Sequence, residues 1–168
     1  MRRRTFVPVI VALALVASAC ASDGGAATPA SADALPSASL ARLDGEGEVD
    51  PADLRGQPLV VNFWATWCVY CIEEMPAFEQ VHQALGDQVQ FLGVDREDSL
   101  EKARALEEET GVTYPSVVDA DGSYFRAAGG RGMPTTLFVD ADGIIVYRQA
   151  GPLTAEQLET LIRDELLS

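Results

Sequence analysis

Basic residues, histidine and cysteine are what this chain has least of. Its 168 residues carry one histidine and three cysteines, and twelve lysines and arginines stand against 26 aspartates and glutamates, a formal charge of −14. Nucleic acid and anionic lipid surfaces repel so acidic a chain, so neither is an expected partner. A zinc centre takes about four nitrogen or sulfur ligands, and beyond the Cys68 and Cys71 pair the chain offers only His82 and Cys20, a cysteine assigned below to lipid. No metal and no cofactor is expected. The longest apolar run, Phe6 to Val16, is shorter than the roughly 20 residues that span a bilayer.

What is present begins with Arg2, Arg3 and Arg4, the apolar stretch from Phe6, and then small residues, the layout of a secretory signal over residues 1–19. Ala17-Ser18-Ala19-Cys20 resembles a lipobox, which marks Cys20 for lipid attachment and places the mature chain on the extracytoplasmic face of the membrane. Alanine stands at 17, where leucine is commoner. Removal of the three arginines takes the formal charge from −14 to −17. Residues 20–39 are mostly Ala, Ser, Asp, Gly and Pro, a composition that buries too little surface to offset its ordering entropy. The expectation is a disordered tether, followed by one domain over residues 40–168.

The richest stretch is Leu59 to Pro76, LVVNFWATWCVYCIEEMP. Leu59, Val60, Val61 and Phe63 form an apolar, β-branched run typical of a buried strand, and Ile72, Met75, Phe78, Val81 and Leu85 recur at helical spacing. The period changes at Cys68. Cys68-Val69-Tyr70-Cys71 therefore stands at a strand-to-helix junction, where backbone N–H groups without helical partners and the helix dipole favour an anion on the first sulfur. In such a place a cysteine pKa can fall from about 8.5 to roughly 3.5–7.5, and the thiolate is the nucleophile. A structural staple closing so short a loop removes little chain entropy, so redox chemistry is the stronger reading. With Cys20 assigned to lipid, no third thiol remains for a structural disulfide, and beyond the membrane disulfides persist.

Asn62-Phe63-Trp64-Ala65-Thr66-Trp67-Cys68-Val69-Tyr70-Cys71, then Glu74-Met75-Pro76, and much later Gly132-Met133-Pro134-Thr135-Thr136, resemble the thioredoxin superfamily. The branch they resemble is the extracytoplasmic TlpA, ResA and DsbE-type thiol:disulfide oxidoreductases, over about residues 40 to 168. Two departures stand out. Val-Tyr replaces the usual dipeptide between the cysteines, and Asn62 stands where cytoplasmic thioredoxins carry a buried Asp.

The rest of the chain fits an α/β, thioredoxin-like fold: a mixed central sheet flanked by helices, with an N-terminal β-hairpin extension. Leu40 to Leu43 alternates like a strand before the turn signal Asp44-Gly45, and Asp50-Pro51 has the chemistry of a helical-turn start. Val89 to Asp95 is a second apolar strand, and Asp98 with Glu101 reads as a capping pair for a helix over Leu100 to Thr110 that Gly111 ends. Strand, helix, strand, helix argues for parallel strands. Val117-Val118 is a short strand, and Asp119-Ala120-Asp121-Gly122 a turn. Thr135 to Val139 and Ile144 to Arg148 flank a hairpin signal at Asp140-Ala141-Asp142-Gly143. Neither Asp-Ala-Asp-Gly copy has the further oxygen ligands of a calcium loop. Thr154 with Gln157 caps a last helix with Leu158, Leu161, Ile162 and Leu166 on one face.

In the chemistry that the resemblance implies, Cys68 attacks a partner's disulfide and Cys71 resolves the mixed disulfide. Glu74, three residues beyond Cys71 on the same helical face, tunes the pair in ResA-like relatives and is the third candidate. Trp67, Met133 and Pro134 are candidate substrate-binding residues: the first an apolar contact beside the sulfurs, the others a cis-proline loop on which an extended partner segment can add as a strand. Spacing alone would make the Met133–Pro134 bond trans. Pro76 removes one hydrogen bond inside the helix. Trp64 reads as core packing and His82 as a surface or core residue. The expected partners are protein thiol or disulfide substrates and a membrane electron donor. The expected protein is a monomeric reductase, as in cytochrome c maturation. An oxidase of secreted proteins and a lipoprotein that only binds a partner are the alternatives.

Overall fold

The computed structural model describes residues 33–168, so the signal segment, Cys20 and most of the expected tether lie outside the described residues. Seven strands form one mixed sheet: β1 (Leu40–Arg42), β2 (Glu48–Val49), β3 (Leu59–Trp64), β4 (Gln90–Arg96), β5 (Ser116–Asp119), β6 (Thr135–Val139) and β7 (Ile145–Ala150), in the order β2-β1-β5-β4-β3-β6-β7. β3 runs parallel to β4, and β4 to β5, while β6 is antiparallel to β3. The fold is thioredoxin-like, with the expected N-terminal hairpin supplied by β1 and β2.

Every residue of β3 is buried, as a near-continuous apolar strand covered on both faces must be. Its odd and even positions serve different layers. Leu59, Val61 and Phe63 point to one side with Leu92, Val94, Tyr124 and Phe125, beneath α3 (Ser123–Ala127). Val60 points to the other, against Phe78 and Val81 of α1 (Val69–Leu85) and Leu158 and Ile162 of α4 (Ala155–Leu166). Trp64 shares that second face with Met75 of α1 and Ala103 and Leu106 of α2 (Leu100–Thr110). Trp64 is thus core packing, as its sequence context suggested. His82 lies half-buried between the rings of Phe91 and Tyr114, 5.3 and 5.6 Å away.

Several local signals act as the chain predicts. Thr154 and Gln157 form a reciprocal capping box, Gly111 ends α2 at φ 74°, a conformation glycine adopts without steric cost, and Asp50 caps a 3₁₀ turn over Pro51–Asp53.

Three expectations are corrected. Residues 34 and 35 are packed, not the disordered chain expected over residues 20–39. Leu35 is buried, Ala34 bridges to Ile144, and the Leu35 N–H donates to the Gly143 carbonyl, because one large apolar residue in an otherwise small-residue segment has a core edge to cover. Asp98 does not cap α2: Ser99 is the N-cap, makes no side-chain cap bond, and Asp98 turns to another loop. α3 follows the Asp119–Gly122 turn where no helix was expected. Its second and third N–H groups are taken by the buried Asp119 carboxylate, through Tyr124 N at 3.1 Å and Phe125 N at 2.8 Å, and five residues are too few to show a period.

Candidate active site

The junction between β3 and α1 presents the cysteines. Cys68 is the N-cap of α1, in extended conformation, and its sulfur accepts from the Cys71 N–H at 3.2 Å. A sulfur so placed faces the positive end of a 17-residue helix. Cys68 and Cys71 are joined in a disulfide. Their accessibilities differ: Cys68 retains 7% and Cys71 none, so only the first cysteine can be reached from outside. Around it stand side chains that a core would normally absorb. Trp67 is 54% exposed, Val69 63% and Tyr70 61%, an apolar rim on an acidic protein.

The loop that carries the first cysteine is held by the loop after β4. Asp98 accepts from the Thr66 hydroxyl at 2.7 Å and from the Thr66 backbone N–H. Glu97, at φ 55°, turns the chain into position for this clamp. Beside it the Arg96 guanidinium lies 4.6 Å from the Phe125 ring centre and 5.9 Å from that of Trp67, a cation–π contact that steadies an otherwise exposed indole. Asp98, Arg96 and Phe125 were not expected at the site, because the parallel pairing of β3 with β4 and of β4 with β5, not local spacing, brings them to the cysteine loop.

Met133 packs partly buried against the cluster that contains Cys68 and Cys71, and the Met133–Pro134 peptide bond is cis. The Thr135 hydroxyl donates to the Gly132 carbonyl at 2.6 Å, and the Gly151 N–H to the Pro134 carbonyl at 3.0 Å. The two motifs, more than 60 residues apart in sequence, thus meet at one end of the sheet.

Glu74 lies one turn beyond Cys71, and it is 2% exposed. Its carboxylate accepts from the Asn62 side-chain amide at 2.9 Å and from the Leu153 N–H at 3.0 Å. Burial pushes its pKa up to about 7, against the opposing pull of those two donors. Asn62 therefore does not leave the site without a buried acid, since the helix supplies one across from it. Glu73, beside it in sequence, is exposed.

The Redoxin family model matches residues 30–162. The chain belongs to the Redoxin family. Among curated relatives, this redoxin is 33% identical over 132 residues to the thiol:disulfide interchange protein DsbE of Escherichia coli K12, covering 77% of this chain and 70% of that one. It is 25% identical over 122 residues to the thiol-disulfide oxidoreductase ResA of Bacillus thuringiensis, covering 72% and 70%. A solved structure of MTB DsbF, in mixed oxidized and reduced forms, matches 80% of this chain and 97% of its own with a TM-score of 0.71 and 27% identity. With its Cys68–Cys71 pair, this redoxin is a thiol:disulfide oxidoreductase of DsbE/ResA type. Among the described residues no helix is long and apolar enough to cross a membrane.

Proposed function

We propose that the protein reduces disulfides of exported proteins, held at the outer face of the membrane by a lipid on Cys20. The observation that carries this reading is the pairing of a reachable Cys68 at a helix N-terminus with a fully buried Cys71. In the dithiol form the Cys68 thiolate attacks one sulfur of a partner disulfide, forming a mixed disulfide and expelling the partner's other sulfur. Cys71 then loses its proton and attacks the Cys68 sulfur, which releases the partner as a dithiol and leaves the Cys68–Cys71 disulfide. Trp67, Val69 and Tyr70 give the partner an apolar seat, and the Met133 backbone offers an edge for an extended segment. A membrane dithiol donor restores the reduced pair. The Escherichia coli relative is named an interchange protein, and an apocytochrome is among the extended substrates that this chemistry suits.

The direction follows from charge. A strong oxidant of this superfamily stabilises its thiolate to a pKa near 3.5 and holds a potential of about −120 mV. Val69 and Tyr70 add no positive charge, and Glu74 places a carboxyl group behind the pair, disfavouring a second anion. Equilibration with glutathione buffers is expected to give a potential below about −200 mV. A value near −120 mV would overturn the reductase in favour of the oxidase. Cys71→Ser is the variant that identifies the substrate, because the mixed disulfide on Cys68 then has no resolving sulfur.

Attachment has its own test. Cys20→Ala is expected to move the protein from the membrane to the soluble fraction and to abolish labelling by radioactive fatty acid. A wild-type protein that takes up no label is not a lipoprotein.

A further inference from the structure

We propose that Asp95 is a second buried carboxyl group coupled to the cysteine pair: it takes up a proton when the Cys68–Cys71 disulfide is reduced and gives it up on reoxidation. This rests on the reading that the pair cycles between disulfide and dithiol.

Asp95 is the residue this fold has no structural reason to bury. It is 0% exposed, and among the described residues neither carboxylate oxygen has a hydrogen-bond partner. Buried carboxylates are ordinarily paired, because an unpaired one forfeits its hydration without return. Its place gives the reason. In the parallel ladder Asp95 stands opposite Trp64, one pair nearer the cysteine end than Phe63 opposite Val94. By the alternation of β4, Phe91, Gly93 and Asp95 face the helices α1 and α2, while Arg96 faces Phe125 on the other side. The Trp64 indole bears on the same spot: a Cβ at Gly93 would lie 2.8 Å from its Nε1, which also lacks an acceptor among the described residues. Trp64, the register partner of Asp95, belongs to one apolar cluster with Ala65, Cys68, Cys71, Met75 and Ala103.

Charge created on a sulfur in that layer is poorly screened, so a neighbouring carboxylate feels it. Burial does most to lift Asp95 to about 7, and the other titratable groups facing it, Asp98 at the Thr66 clamp and Glu107 of α2, are acidic and oppose its ionisation further. Arg96 cannot neutralise it, being across the sheet and paired with Glu97 at 2.5 Å.

The stoichiometry closes without a further reactant. A partner dithiol gives up two electrons and two protons as it becomes a disulfide. Cys68 becomes a thiolate, Cys71 keeps one proton as a thiol, and the second goes to the Asp95 carboxylate. When the pair reduces a substrate disulfide, both protons leave with the substrate dithiol and Asp95 is a carboxylate again. Asp95 does this through the electric field, as a positioning residue for charge and not as a group in contact with the sulfurs.

The experiment measures the potential of the full chain against glutathione from about pH 5.5 to 8.5, together with the pH profile of Cys68 alkylation, for wild type, Asp95→Asn and Glu74→Gln. In Asp95→Asn the potential is expected to lose one proton-linked segment near neutral pH, and the alkylation midpoint to fall by about one pH unit. Glu74→Gln is expected to keep the Asp95 segment. A purely structural role would move neither curve, so superposition of Asp95→Asn on wild type in both overturns the proposal. Should Asp95→Asn fail to fold, the infrared difference spectrum between oxidised and reduced Glu74→Gln protein decides. Protonation of a carboxyl group on reduction supports the coupling, and its absence overturns it. Since the potentials are read with glutathione, failure to reduce protein disulfides alongside an intact Asp95 effect counts against the proposed function alone.

Discussion

Cys68→Ser is expected to reduce turnover of a protein disulfide such as insulin to background. A serine hydroxyl at the N-terminus of α1 is not ionised at neutral pH, and attack on a disulfide sulfur requires the anion. Cys71 cannot take over, because it is fully buried behind Cys68 and Met75. The loss is chemical and not structural. The disulfide joins residues only three apart in sequence, so its removal returns little chain entropy to the unfolded state, and unfolding of Cys68→Ser should resemble that of the reduced wild type. Full insulin reduction by Cys68→Ser would sink the assignment of the nucleophile.

The second large effect is on stability against pH, and it comes from Glu74. Burial raises this carboxyl from its ordinary 4.5 to about 7 in the folded chain. The folded state therefore holds the proton more tightly than the unfolded state does. The stabilisation is complete below about pH 4.5 and is lost as pH rises through 7. A shift of this size corresponds to at most about 3 kcal/mol across the window. Urea unfolding of the oxidised chain at several pH values between 4.5 and 8 is expected to show the midpoint falling, and Glu74→Gln to remove a large part of the fall. The side-chain amide of Glu74→Gln keeps one oxygen, an acceptor for either Asn62 or Leu153 but not for both, so the variant starts from a lower plateau. Asp95 contributes a fall of the same sign, for the same reason of burial. A Glu74→Gln protein with the wild-type slope would show that the carboxyl at 74 titrates normally.

Much of the site was legible along the chain because it is local. The change of period at Cys68 is a property of neighbouring residues, and it located a helix N-terminus that the structure places at the same residue. The capping box at Thr154 and Gln157 and the turn at Gly111 were readable for the same reason. Asp98 shows where local reading fails. An Asp three residues before a Glu ahead of an apolar run has the pattern of a helix cap, yet the carboxylate accepts from Thr66, 32 residues away, because Glu97 turns it there and Ser99 takes the N-cap. α3 failed differently, being held by the buried Asp119 and not by any period of its own.

By itself, then, the sequence determined the strand-to-helix junction, the spacing of the two cysteines, the order of the main strands and helices, and the carboxyl at Glu74 one turn behind them. These depend on covalent spacing and helix or strand periodicity, which act within a few residues. Only the tertiary structure decided that Asn62 and the Leu153 N–H hold Glu74 in the interior, that Met133 reaches the cysteine cluster, that Arg96 braces Trp67, and that Asp95 lies beside Trp64 without a hydrogen-bond partner among the described residues. The physical reason is the same in each case: burial and a carboxyl's affinity for its proton are set by which distant strands become neighbours, and the register of β3 with β4 and β6 is settled by the whole core and not by any segment within it.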